Sequence, residues 1–155
     1  MSHRPPKILI VDDDPNMRKL MRTALYNGLR QIHEAANGSD ALRLANEIEP
    51  DILLLDIGLP GAVDGLSLCE TLLADSAHRR LQVIIVSGSD APHDIARAEN
   101  LDVRVFLRKP FSPIKLAALV SQMESGIKRM LVIPPASNRK EAIGFDDRFG
   151  WSPAV

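Results

Sequence analysis

Four apolar segments of the chain each run into polar residues able to do chemistry. "ILIV" leads into Asp12 and Asp13, "DILLLD" ends on Asp56, "VIIVS" ends on Ser87, and "VFLRK" ends on Lys109. Taken singly, each is an ordinary turn or cap residue. Their joint placement at segment ends is the signal. Three carboxylates brought into one pocket repel one another by up to about 4 kcal/mol per contacting pair at an effective dielectric of about 20. Such a pocket calls for positive charge. Oxygen-only ligation with few carboxylates suits a hydrated divalent ion such as Mg2+, and Lys109 adds a second, fixed cation. A carboxylate beside a divalent ion, an ammonium and a hydroxyl is equipped to attack phosphorus, because phosphoryl transfer depends on positioning and charge neutralisation. The expected product is an aspartyl phosphate.

The segments that deliver these groups read as strands. Runs rich in Ile, Val and Leu at 8–11, 52–55, 83–86 and 103–107 have strand length, and 31–35 is a weaker second strand. Continuous rather than alternating apolar character implies burial on both faces, as in a parallel sheet between helix layers. Between the strands lie helical spacings: Met17, Leu20, Met21, Ala24 and Leu25; Ala41, Leu44, Ala45 and Ile48; Leu66, Cys69, Leu72 and Leu73; and Leu116, Leu119, Val120, Met123 and Ile127. Residues 92–100 form a shorter, more polar fourth helix. A β-α unit repeated five times predicts an α/β, doubly wound, five-stranded parallel sheet with right-handed crossovers. In such a sheet the ligand crevice lies beyond the carboxyl ends of the strands, where the chemistry-bearing residues fall. Asp14, followed by Pro15, reads instead as the cap of the first helix.

Composition narrows the functional classes. The chain has 155 residues, 45% hydrophobic and 25% charged, enough for one compact core. Its 19 basic and 20 acidic residues give a formal charge of -1, which supplies no overall attraction to nucleic acid or an anionic membrane. The start "MSHRPPKILIVDDD" has too short an apolar run for a signal peptide or membrane span, and a cytoplasmic protein is expected. Cys69 lies in the apolar pattern "GLSLCETLL" and reads as a buried small residue. His3, His33, His78 and His93 show no metal-ligand spacing and read as surface or helix-end residues. After about residue 130, "VIPPASNRKEAIGFDDRFGWSPAV" breaks periodicity and reads as a tail in which Phe145, Phe149 and Trp151 cluster.

The motifs "ILIVDDDP", "DILLLDIGLPG", "VIIVSGS" and "FLRKPF", in this order and spacing, resemble the response-regulator receiver family of two-component signalling, in its chemotaxis-regulator-like single-domain form. The resemblance covers residues 7 to about 128 and implies a flavodoxin-like (βα)5 fold with strand order 2-1-3-4-5. It divides the chain into a receiver domain at 1–130 and a tail at 131–155 without a separate effector domain. It implies that Asp56 accepts phosphate from a histidine kinase or histidine phosphotransfer protein. Asp12 and Asp13 would hold Mg2+ together with Asp56 and the backbone carbonyl of Gly58. Ser87 would hydrogen-bond the phosphoryl group and Lys109 would pair with it, while Phe106 would turn inward as Ser87 moves. Lys109-Pro110 is the bond commonly cis in the family.

The output implied is a downstream protein target, recognised through the last helix, the fourth helix and the fifth strand. A homodimer is the further association to test, and neither direct DNA binding nor membrane attachment is expected. Two departures from the family pattern stand out. The loop "DIGLPGAVDG" is one residue longer than the commonest form. Gly58 replaces a larger side chain, either because the backbone there needs glycine or because small residues at Gly58 and Ser89 leave the acyl phosphate open to water. The rival readings are a haloacid-dehalogenase-type phosphohydrolase, with Asp12 as nucleophile and Asp14 as acid, and a pseudo-receiver that signals without phosphate. Asn16 and Gly58 fit the hydrolase pattern poorly.

Overall fold

The structure, a computed structural model, describes residues 4–88, 92–103, 105–125 and 131–135. The elements run β1 (Lys7–Val11), α1 (Pro15–Leu25), β2 (Gln31–Ala35), α2 (Gly38–Ile48), β3 (Ile52–Asp56), α3 (Gly65–Ala74), a 3-10 turn (Ser76–His78), β4 (Gln82–Ser87), α4 (Pro92–Asn100), β5 (Val105–Arg108), α5 (Pro113–Glu124) and β6 (Leu131–Ile133). All neighbouring strands pair in parallel. Five of them follow the expected order 2-1-3-4-5.

Side-chain alternation along the strands divides the interior into two cores. Ile8, Ile10, Ile52, Leu54, Ile84, Val86, Val105 and Leu107 point toward Met21 and Leu25 of α1 and Leu116, Leu119, Val120 and Met123 of α5. Leu9, Val11, Leu53, Leu55, Val83, Ile85 and Phe106 point the other way, toward Ala41 and Ala45 of α2, Leu68, Cys69 and Leu72 of α3, and Ala98 of α4. Both faces are covered, which explains the unbroken apolar runs. Cys69 is buried as expected, and burial pushes its thiol up to about 12, so it stays protonated near neutrality. His78 departs from expectation. It is only 4% exposed, and its Nε2 meets Asn46 Oδ1 at 2.9 Å, because the 3-10 turn folds the ring inward.

The sheet has six strands rather than five. β6 lies outside β5 with Val105 opposite Leu131, Phe106 opposite Val132 and Leu107 opposite Ile133. Its residues had read as the start of an irregular tail because Pro134 and Pro135 follow at once and three residues show no period. Their strand state comes from tertiary pairing. Ile133, 1% exposed, closes the end of the core beneath α5. The aromatic cluster Phe145, Phe149 and Trp151 lies outside the described residues.

A buried isoleucine on a three-residue edge strand is the hydrophobic anchor of that strand, and a partly collapsible site puts its loss at the low end of core truncations. Ile133→Ala is expected to lower the unfolding free energy by about 2 kcal/mol. Urea denaturation checks this; a change below about 0.5 kcal/mol would mean that β6 does not hold its place in the sheet.

Candidate functional site

Two strand ends and one following loop converge beyond the carboxyl edge of the sheet, where strand order reverses between β1 and β3. Asp12 and Asp56 continue the side-chain rows Ile8–Ile10 and Ile52–Leu54. Asp12 is wholly buried, with its N–H donating to the Ala35 carbonyl of β2 at 3.2 Å and its Oδ1 accepting the Asp14 N–H at 2.9 Å. Asp14 is the cap of α1, accepting the Asn16 N–H at 2.9 Å, with Pro15 at the first helical position. Asp13 is exposed, and its carboxylate makes no protein hydrogen bond among the described residues.

Asp56 is set by the turn that follows β3. Its Oδ1 accepts the Gly58 N–H at 2.9 Å. The loop then reaches Asp64, which caps α3 by accepting the Ser67 N–H at 2.8 Å; that bond holds the Asp64 carboxyl below its ordinary value. Helix α3 begins hard against the site strand. A Cβ on Gly65 would lie 2.5 Å from Ile57 Cα and 2.7 Å from the Asp56 carbonyl oxygen, so only glycine lets the helix start there. Gly58 is different. Its φ lies outside the left-handed region, and a Cβ would sit at an ordinary 3.4 Å from Asp56 Oδ1. The backbone does not need glycine at this position, which removes the first of the two readings of Gly58.

Lys109 ties the two strand ends together. Its Nζ donates to Asp12 Oδ2 at 2.8 Å and to Asp56 Oδ2 at 3.1 Å, and its N–H donates to the Ser87 carbonyl at 2.7 Å. The Lys109-Pro110 bond is cis, as the motif implies. Burial opposes the charged ammonium, but its hydrogen bond to Asp12 and the charge of Asp56 outweigh it and hold its pKa above the ordinary lysine value. Carboxylate oxygens of Asp12, Asp13 and Asp56 lie within 4.8 Å of one another. Three negative charges face one ammonium, and the donors are all oxygen. The residues present therefore fit a divalent ion of the Mg2+ type.

Ser87 and Phe106 sit on the opposite face from the acids. Ser87 ends β4 and is 3% exposed; Phe106 is fully buried and pairs with Ile85, two residues before Ser87 on the same row. The register therefore puts hydroxyl and ring on one face of adjacent strands. Ser89 lies outside the described residues.

Arg18 and Glu34 were not singled out by sequence. Arg18 Nη1 donates to the Asp12 carbonyl at 2.7 Å, and its Nε to Glu34 Oε1 at 3.2 Å. A signal was present: Arg18 and Arg22 stand four apart on one helix face, an unfavourable pair unless an acid lies between them.

Comparison with known proteins agrees with this geometry. Residues 8–121 match the response regulator receiver domain family. The chain is 30% identical over 151 residues to "Response regulator PleD" of Caulobacter vibrioides, covering 89% of this chain and 33% of that protein. It is 31% identical over 120 residues to "Protein PilH" of Pseudomonas aeruginosa, covering 77% of this chain and 98% of that protein. The chain thus spans a third to a half of the first curated relatives it matches, 33% of PleD and 48% of the DNA-binding response regulator MtrA of Mycolicibacterium smegmatis, but nearly all of PilH. Among solved structures, the receiver domain of AraT, a response regulator from Geobacillus stearothermophilus, superposes with a TM-score of 0.69 at 27% identity, covering 78% of this chain and 94% of that one. The chemotaxis protein CheY4 of Vibrio cholerae shares the fold, with a TM-score of 0.68 at 20% identity over 79% of this chain and 98% of that one. With its acids, lysine and sheet order in place, the chain belongs to the response regulator receiver domain family.

Proposed function

We propose that Asp56 accepts a phosphoryl group from a histidine kinase or histidine phosphotransfer protein, and that this switches a protein-interaction surface. The observation that carries the reading is the Lys109 ammonium bridging Asp12 and Asp56, with the Asp13 carboxylate close by. In the transfer, an Asp56 oxygen attacks phosphorus, the O–P bond forms as the donor's N–P bond breaks, and the imidazole nitrogen keeps the electron pair and takes a proton. Asp12, Asp13, Asp56 and the Gly58 carbonyl are the proposed holders of Mg2+, which when bound neutralises charge on the phosphoryl oxygens. Lys109 is then the fixed cation that exchanges a carboxylate partner for a phosphoryl oxygen. Ser87 follows the phosphoryl group as a hydrogen-bond donor, and the space it leaves on its face is available to the Phe106 ring. A downstream protein target reads the change, on the side of the sheet formed by α4 and α5, the expected share of β5 being covered by β6. Among the described residues no helix is long and apolar enough to cross a membrane.

The cap bond of Asp14 weighs against the hydrolase alternative, which needs that residue as its acid. It remains experimentally separable.

Incubation with acetyl phosphate and Mg2+ is expected to give a stoichiometric acyl phosphate that Asp56→Asn abolishes. Multiple-turnover phosphate release lost in Asp12→Asn would instead make the protein a hydrolase.

Removing the bridging cation leaves two carboxylates facing each other. Lys109→Met is expected to lower metal-free stability by about 2 kcal/mol, with more of it restored by Mg2+ than the wild type gains. Because the folded pKa of Lys109 is raised, its stabilisation is complete below the ordinary lysine value and fades only as pH climbs through the raised one. Urea titrations in EDTA between about pH 6 and 9 should therefore show no lysine-dependent loss; equal stability of variant and wild type would refute the bridging role.

Open space beside Asp56 at Gly58 predicts a short-lived acyl phosphate. Gly58→Asn should lengthen its lifetime several-fold by shielding phosphorus from water, as followed by loss of label; an unchanged lifetime would remove Gly58 from the kinetics.

A further inference from the structure

We propose that Arg18 is a positioning residue for metal loading, acting through the peptide that joins Asp12 to Asp13. Nearly every polar group of Asp12 is held by a different element: its N–H by β2, one carboxylate oxygen by the Asp14 N–H and the other by Lys109. Its carbonyl goes to Arg18 Nη1 at 2.7 Å. A peptide unit is planar, so fixing that carbonyl fixes the orientation of the bond leading into Asp13. This matters because the Asp13 carboxylate makes no protein hydrogen bond among the described residues. Its place in the acidic trio is set by its own backbone, which Arg18 holds from the Asp12 side together with the Asp14 N–H bond to Asp12 Oδ1.

The guanidinium is itself held. Its Nε meets Glu34 Oε1 at 3.2 Å, the second Glu34 oxygen accepts from Arg22, and Arg22 Nη2 donates to the Ile32 carbonyl at 3.0 Å. The Arg18 side chain is 19% exposed. Glu34 is shared by Arg18 and Arg22 and offsets only part of their charge, so it is the bond to the Asp12 carbonyl, a matter of geometry, through which Arg18 acts. A planar fork with separate donors can reach the Asp12 carbonyl and Glu34 together; a lysine ammonium is a single point and cannot span both. Groups that orient metal ligands in this way typically change metal affinity by about 10 to 100-fold when removed.

The inference rests on the metal reading above, and the test separates the two. In the full-length protein without phosphodonor, Mg2+ is titrated by calorimetry and by NMR of the Asp13 and Gly58 amides. Urea unfolding of the metal-free form is measured alongside. Arg18→Met and Arg18→Lys are both expected to weaken Mg2+ binding about tenfold, with the Asp13 amide displaced before metal is added. Lys19→Met, which removes an exposed charge from the same helix outside this network, should stay within about twofold of wild type. Wild-type affinity in Arg18→Lys would show that charge alone suffices and would overturn the proposal. So would a loss of stability in Arg18→Met at unchanged affinity, and if that variant fails to fold, Arg18→Lys decides. Absence of saturable wild-type binding that Asp13→Asn abolishes would overturn the metal reading and this proposal with it.

Discussion

Two carboxylates on neighbouring strands, one wholly buried and one partly so, repel one another in a poorly solvated pocket unless a cation lies between them. Lys109 is that cation, at 2.8 Å from Asp12 and 3.1 Å from Asp56. It comes from beyond β5, so a single ammonium ties the first, third and fifth strands of the sheet together at one edge. The ends of those strands are held in place by the charges they carry, as well as by the core beneath them. A third acid, Asp13, leaves the pocket with an excess of negative charge even after Lys109 is counted. The donor set of the pocket is therefore one that suits a further cation.

Strand alternation separates this electrostatic site from its mechanical consequence. Asp12 and Asp56 continue the rows that face α1 and α5, whereas Ser87 and Phe106 belong to the rows that face α2, α3 and α4. A group bound among the acids sits above one core, and the hydroxyl that can reach for it sits above the other. The proposed switch would therefore have to pass from one face of the sheet to the other, between residues on adjacent strands. Phe106 is fully buried, so any motion of Ser87 is felt in a close-packed interior where small displacements change which packing is preferred.

Most of this was legible in the sequence because it depends on local chemistry. Apolar runs ending in Asp12, Asp56 and Ser87 announce both strand and site, and Asp14-Pro15 announces a helix start. The elements that escaped depend on distant partners. β6 is three residues long and exists because β5 had a free edge and α5 left room for Ile133. His78 is buried because Asn46 of α2 waits for it, a pairing across 32 residues that no spacing reveals. Arg18 has its partners, Glu34 and the Asp12 carbonyl, on other elements, so its role is set by tertiary contacts. Gly58 invited a backbone explanation that its ordinary φ does not support, whereas Gly65 and its contact with the Asp56–Ile57 peptide drew no attention.

The sixth strand changes what the far side of the sheet presents. β5 carries Phe106 and leads into Lys109, and with β6 paired along it, β5 is an interior strand. An interior strand is held on both edges, so its backbone hydrogen bonds do not fray into solvent and displacement at Lys109 is less readily lost in local opening. The sheet edge is β6, anchored by Ile133 and followed immediately by Pro134 and Pro135, which have no N–H to offer another strand. Short length and prolines are what keep a sheet edge from pairing with other chains. The strand that links the acidic pocket to the interior is thereby shielded from strand addition, so the target proposed above would meet the surfaces of α4 and α5 rather than an open β5 edge.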